Sequence, residues 1–188
     1  YDGSGYTIAI LDTGVDSGHD YLDEGKVVAE FCHSTNYTYV DNDGVAPDTS
    51  FASYSICESG VISDSGTGSA MPYVGSCPVG ECDHGTHVAG IAAGNDIGAT
   101  NFSGVAPHAT IISAQVFTLF DSDYYCGSDP CVMSFDTDQL AAMEDVYELT
   151  QGTNADYPGV TLDVVSLNMS LGSGRAYDHC DADDVDRK

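Results

Sequence analysis

Residues 6–14 read YTIAILDTG, an apolar run that stops at an Asp-Thr-Gly turn. A run of this length without polar alternation is the pattern of a strand buried on both faces, and it delivers Asp12 to the strand's C-terminal end. Working outward, residues 26–31 (KVVAEF) and 110–117 (TIISAQVF) repeat the pattern, and residues 163–171 (DVVSLNMSL) make a fourth strand. Helical spacings lie between them. HGTHVAGIAAG at 84–94 combines small residues with helical apolar spacing and meets a Gly-Asn-Asp turn. Residues 137–150 place Leu140, Met143, Val146 and Tyr147 on one face, with Asp136 as N-cap. Strands alternating with helices predict an α/β fold with a mainly parallel sheet wrapped by helices. Sites in such sheets lie beyond the C-terminal strand ends, which is where Asp12 falls.

Two stretches interrupt this rhythm. Residues 35–82 lose periodicity and are rich in Ser, Gly, Asp and Tyr, so they read as a long cysteine-containing excursion. Residues 119–134 form a second cysteine-bearing loop. The seven cysteines include two pairs of equal spacing, Cys77 with Cys82 and Cys126 with Cys131, each enclosing turn residues. They read as disulfides, with Cys32–Cys57 as a third and Cys180 left over. Disulfides imply an oxidising, extracellular compartment, and the sequons at Asn36 and Asn101 agree.

The 188 residues carry 30 Asp and Glu against 4 Lys and Arg, a formal net charge of -26. Phosphate binding needs clustered Lys and Arg, so nucleic acid and anionic lipid are excluded as partners. No apolar run approaches the roughly 18 residues of a membrane span. The acidity has three readings: adaptation to high salt, several calcium sites, or a generally acidic secreted protein.

The chemistry concentrates in Asp83-His84-Gly85-Thr86-His87-Val88-Ala89-Gly90, downstream of Asp12-Thr13-Gly14. Together with Gly104-Val105-Ala106-Pro107 and Asn168-Met169-Ser170-Leu171-Gly172, in that order, these blocks resemble the subtilisin-like serine proteases. The resemblance implies a three-layer subtilisin-like fold and a secreted endopeptidase that is monomeric and acts on protein or peptide substrates. In that family the triad runs Asp, His, Ser along the chain. His84 would be the general base, Asp12 would orient it, and Gly85 would leave room beside it. Ser170, Leu171 and Gly172 would offer main chain to an extended substrate and one wall of its pocket. His87, one helical turn on, reads as packing.

The serine motif of the family has no match after Gly172. Gly66-Thr67-Gly68-Ser69-Ala70-Met71-Pro72 resembles it only superficially and precedes His84. Residues 1–188 are therefore expected to be a partial catalytic domain whose nucleophile lies in sequence beyond this chain. A relative that keeps the scaffold only for binding is the alternative. No cofactor is required for the chemistry. The resemblance admits calcium as a structural ion at Asn95 and Asp96, although His19-Asp20-Tyr21-Leu22 displaces the expected acidic ligand by one position. Two rival readings carry less. His84 and His87 lack a third metal ligand at a known spacing. Asp12 and Asp64 imitate the paired motifs of aspartic proteases, but those belong on two equivalent β lobes.

Overall fold

Strand β1 forms at Thr7–Asp12, as YTIAILD predicts, and lies inside a sheet. The structure is a computed structural model describing residues 2–22, 25–72, 82–95, 103–127 and 130–172. The elements run β1 (Thr7–Asp12), β2 (Val27–His33), β3 (Tyr37–Tyr39), β4 (Phe51–Ser55), β5 (Ser63–Ser65), α1 (His84–Ala93), β6 (Thr110–Gln115), β7 (Thr118–Asp121), β8 (Cys131–Met133), α2 (Asp136–Gln151) and β9 (Val164–Asn168).

The central sheet has the order β5-β2-β6-β1-β9. Strands β2, β6, β1 and β9 are parallel, and β5 closes one edge antiparallel to β2. The inner strands β1 and β6 are buried almost throughout, which is why their sequences are apolar at successive positions. One face packs Ala9, Leu11, Phe31, Ile112 and Ala114 against Ala142, Val146 and Leu149 of α2. The other packs Ile10 and Ile111 against Ala89 and Ala93 of α1. Gly85, Ala89 and Ala93 recur every fourth residue along α1, so small side chains let the helix lie close to the sheet.

The expected strands at 26–31, 110–117 and 163–171 are present with shifted ends. The helix after the second loop differs in detail. It starts at Asp136 after an N-cap at Phe135 that makes no side-chain cap bond, so Asp136 is the first helical residue and not the cap. Its buried residues are Asp138, Ala142, Val146 and Leu149, while Leu140 and Tyr147 are exposed. The apolar stripe misleads because Asp138 is held inward by Thr35, whose N–H and hydroxyl donate to its carboxylate at 3.2 and 2.8 Å.

The larger difference lies in the two irregular stretches. Together they build a second sheet, four antiparallel strands in the order β3-β4-β7-β8. Each stretch alone supplies two short strands, which carry no readable alternation. Pairing β4 with β7 makes four, above the roughly three needed for independent stability. Disulfides Cys32–Cys57 and Cys126–Cys131 form as read. Cys82 is also disulfide-bonded, while Cys77 and Cys180 lie outside the described residues.

Candidate active site

Asp12 ends β1 and is 1% exposed. Its Oδ1 accepts the Thr13 N–H at 2.7 Å and stands 2.8 Å from His84 Nδ1. An ionised carboxylate only accepts, so Nδ1 carries the proton and Nε2 of the neutral ring keeps its lone pair. The His84 side chain is 47% exposed, which leaves that second nitrogen on the accessible side. Asp12 Oδ2 is buried with no hydrogen-bond partner.

The pair is brought together by local packing that the sequence encodes. His84 is the first residue of α1, after Asp83, which makes no side-chain cap bond. Thr13 supplies what the cap does not: its hydroxyl accepts the Gly85 N–H at 2.9 Å and donates to the Cys82 carbonyl at 3.0 Å. A second clip joins the Asp16 N–H to Thr86 Oγ1 at 2.9 Å. Gly85 sits where no side chain fits, because a Cβ there would stand 2.3 Å from the Gly14 carbonyl oxygen and 3.2 Å from Asp12 Oδ1. Gly14 (φ +97°) is crowded in turn, 2.7 Å from the Ala70 carbonyl oxygen by the same measure. The roles of Thr13 and Thr86 were missed in the sequence. The available signal was a hydroxyl residue beside each chemical residue, at Asp12-Thr13 and within His84-Gly85-Thr86.

Ser170, Leu171 and Gly172 follow the C-terminal end of β9, beside β1 in the sheet. The parallel register of β1 with β9 runs as far as Ile10 with Asn168, and Ser170 comes two residues after it. The Ser170 hydroxyl is engaged locally with the Asn168 side chain at 3.0 and 3.2 Å. Asp12, His84 and Ser170–Gly172 thus lie at one end of the parallel strands. Ser69 is buried in the turn against Gly14, and its hydroxyl has no hydrogen-bond partner.

Asp64 does not join Asp12. The register runs Asp64, Cys32, Gln115, Asp12 across four adjacent strands. Three strand spacings separate the carboxylates by about 14 Å, too far to share a proton. His87 is exposed and lines a cavity of about 670 Å³ with Asp16, Leu22, Asp83, Thr86 and Ile91, so it is not a packing residue. Neither Asp12 nor His84 lines that cavity. Asn95 forms a bridge with Ser103, and its N–H donates to the Tyr21 carbonyl, while Asp96 lies outside the described residues. Among the described residues no three His, Cys, Asp or Glu side chains group so as to hold a metal ion.

The site thus holds a buried, strand-end Asp hydrogen-bonded to the first residue of a His-Gly-Thr-His helix. The subtilase family model matches residues 3–129, and the chain belongs to that family. It is 34% identical over 115 residues to thermitase of Thermoactinomyces vulgaris, an alignment spanning 61% of this chain and 27% of thermitase. It is 33% identical over 112 residues to a thermophilic serine proteinase of Bacillus sp. (strain AK1), covering 60% of this chain and 18% of the relative. Against bacillopeptidase F of Bacillus subtilis (strain 168), 29% identity extends over 175 residues, 93% of this chain and 10% of the relative. The chain therefore spans about a quarter or less of the length of the curated relatives it matches.

Proposed function

We propose that this chain carries the acid–base half of a secreted serine endopeptidase, with the nucleophilic serine supplied by the remainder of the parent protein. The observation that carries the reading is the 2.8 Å contact of His84 Nδ1 with buried Asp12, which commits one ring nitrogen and leaves Nε2 to act. In the reaction Nε2 takes the serine hydroxyl proton as the oxygen attacks the scissile carbonyl. The imidazolium then gives that proton to the leaving amine. Asp12 fixes the tautomer and stabilises the imidazolium without itself being protonated. The main chain of Ser170, Leu171 and Gly172 receives an extended substrate beside β9 and forms one wall of its pocket. The protein acts as a monomer on protein or peptide substrates.

Disulfides Cys32–Cys57 and Cys126–Cys131 support an extracellular site of action. No helix among the described residues is long and apolar enough to cross a membrane. Calcium remains part of the proposal only as a structural ion near Asn95 and Asp96, and no step is routed through it.

The test uses a serine-directed covalent inhibitor on the whole protein that carries this chain. It labels the protein, and His84→Ala or Asp12→Asn slows labelling by roughly 10³–10⁴-fold with the fold retained. Labelling at the unmodified rate in both variants overturns the assignment. The 188-residue polypeptide alone is not labelled.

A further inference from the structure

The second sheet is attached at the same end of the central sheet as Asp12. Parallel strands β1, β2 and β6 end together, at Asp12, His33 and Gln115. The chain passes from β2 into β3 within three residues and from β6 into β7 within two. Strand β3 is one of the two edge strands of the second sheet, and Tyr37, Thr38 and Tyr39 are all exposed. Beside it lies a groove of about 400 Å³. Tyr39 and Phe51 line it with rings 5.8 Å apart, and Phe51 is backed by Phe120 in a stacked pair at 5.2 Å. Asp48, Asp121 and Asp123 also line it.

Asp48 accepts the Ser50 hydroxyl and N–H at 2.6 and 2.9 Å, and these bonds hold its carboxyl below the usual range. The carboxylates have no cation of their own chain among the described residues. Of the four Lys and Arg, Lys26 is buried, where its ammonium bonds to the Ala93 and Pro107 carbonyls. Arg175, Arg187 and Lys188 lie outside the described residues. Aromatic rings beside ionised carboxylates attract a cation both through the ring face and through charge. An exposed edge strand offers main-chain partners to an extended chain.

From this charge complementarity we infer that the groove beside β3 is an exosite that docks an extended, Arg- or Lys-bearing segment of a polypeptide at the catalytic end of the molecule. The occupant's cationic side chain lies over Tyr39, between Asp48, Asp121 and Asp123. Polypeptides rich in Arg and Lys are thereby held near His84 before or during cleavage. The site goes beyond the peptidase reading and does not depend on turnover.

The test is fluorescence anisotropy on the whole protein in a His84→Ala background, so that peptide is not cut. The probes are one extended Ser/Thr peptide carrying four arginines and the same peptide with citrulline, the neutral isostere, at those positions. The arginine peptide is expected to bind at least about tenfold tighter, and less tightly as NaCl screens the pair. Asp121→Asn with Asp123→Asn is expected to weaken it about tenfold. Tyr39→Ala weakens it severalfold, whereas Tyr39→Phe, which keeps the ring, does not. Because the protein is acidic throughout, a control removes three carboxylates elsewhere, Glu144→Gln, Asp156→Asn and Asp163→Asn. Equal affinity for the two peptides, or equal weakening by the control, overturns the proposal. A protein that binds the arginine peptide but is not labelled by the serine-directed inhibitor refutes the peptidase reading alone. An active peptidase indifferent to the groove substitutions refutes the exosite alone.

Discussion

Replacing Gly85 by alanine separates the cost of fitting α1 against the sheet from the cost to chemistry. The added Cβ stands 2.3 Å from the Gly14 carbonyl oxygen, whereas ordinary contact begins at 3.4 Å. The partner is main chain in a turn that is itself packed on Ala70, so no side-chain rotation relieves it. Helix α1 must instead lift, or the Asp12–Gly14 turn must recede, by about 1 Å. Overpacking of this kind costs about 1–3 kcal/mol. For a domain of this size that is a fall in Tm of about 2–12 °C. The same movement lengthens the His84–Asp12 contact, which is 2.8 Å at rest. A displacement of about 1 Å near reacting groups costs about 10²-fold in rate. The expected result in the whole protein is a loss of about 10²-fold in kcat/KM, carried by kcat, with a modest drop in Tm. Gly90→Ala is the control on the same helix, because a Cβ there meets nothing within 4 Å. It should stabilise by up to about 1 kcal/mol and leave kcat unchanged. Peptidase assays and thermal melts of both variants decide the matter. If Gly85→Ala keeps full kcat and Tm, the close approach of α1 to the Asp12 turn does not govern the site.

Other outcomes follow from the same geometry. Burial holds the Asp138 carboxyl above its usual range, opposed by the hydrogen bonds from Thr35. The folded state therefore binds that proton more tightly than the unfolded state, and the group's contribution is complete below the ordinary carboxylate pKa and declines as pH rises through the raised value. Wild-type Tm measured relative to Asp138→Asn should fall across that interval, and a constant difference would contradict the assignment. Replacing Cys32 and Cys57 by serine opens a loop with a sequence separation of 25. By chain entropy the loss is about 3.5 kcal/mol, read as a lower denaturation midpoint, and an unchanged midpoint refutes it. Melts against NaCl and, separately, CaCl2 test the acidity. A rise with NaCl alone indicates screening of carboxylate repulsion, and a rise with micromolar to millimolar CaCl2 indicates ion sites.

The central sheet and helix α1 were legible for one physical reason: they depend on burial. Strand β1 is apolar because both its faces are covered, and α1 is small-residue rich because it lies close to β1. The pairing of Asp12 with His84 was readable only through a resemblance, since nothing in spacing alone brings together residues 72 positions apart. The second sheet was not legible. Its strands are three to five residues long, and the β4–β7 pairing that joins the two stretches links residues 63 to 69 positions apart, Ala52 with Asp121 being the widest. Such strands exist through their partners and leave no periodicity of their own. The α2 stripe failed for a related reason. A buried carboxylate with hydrogen-bond donors waiting for it outweighs two apolar residues that find no surface to cover.

The two irregular stretches are therefore joined in one sheet and are not two separate loops. Strands β3 and β4 from the first would be a marginal hairpin, and β7 and β8 from the second another; β4–β7 pairing makes each the support of the other. The joint sheet is then fastened to the central one at several points near the strand ends. Cys32 in β2 is bonded to Cys57 beyond β4, Ser34 meets Thr118 through their hydroxyls at 3.0 Å, and Thr35 is held by Asp138 of α2. His33, the last residue of β2, stands 2.6 Å from Asp145 of the same helix. These ties are short and mostly shielded from water, where hydrogen bonds and ion contacts are least screened. A segment bound along β3 is consequently bound to a body fixed relative to the ends of β2 and β6, and through their register to Asp12 at the end of β1. That rigidity is what would let the proposed docking surface raise the effective concentration of a bound polypeptide at the end that carries Asp12: the geometry between the two positions is set by the fold and not by a flexible linker.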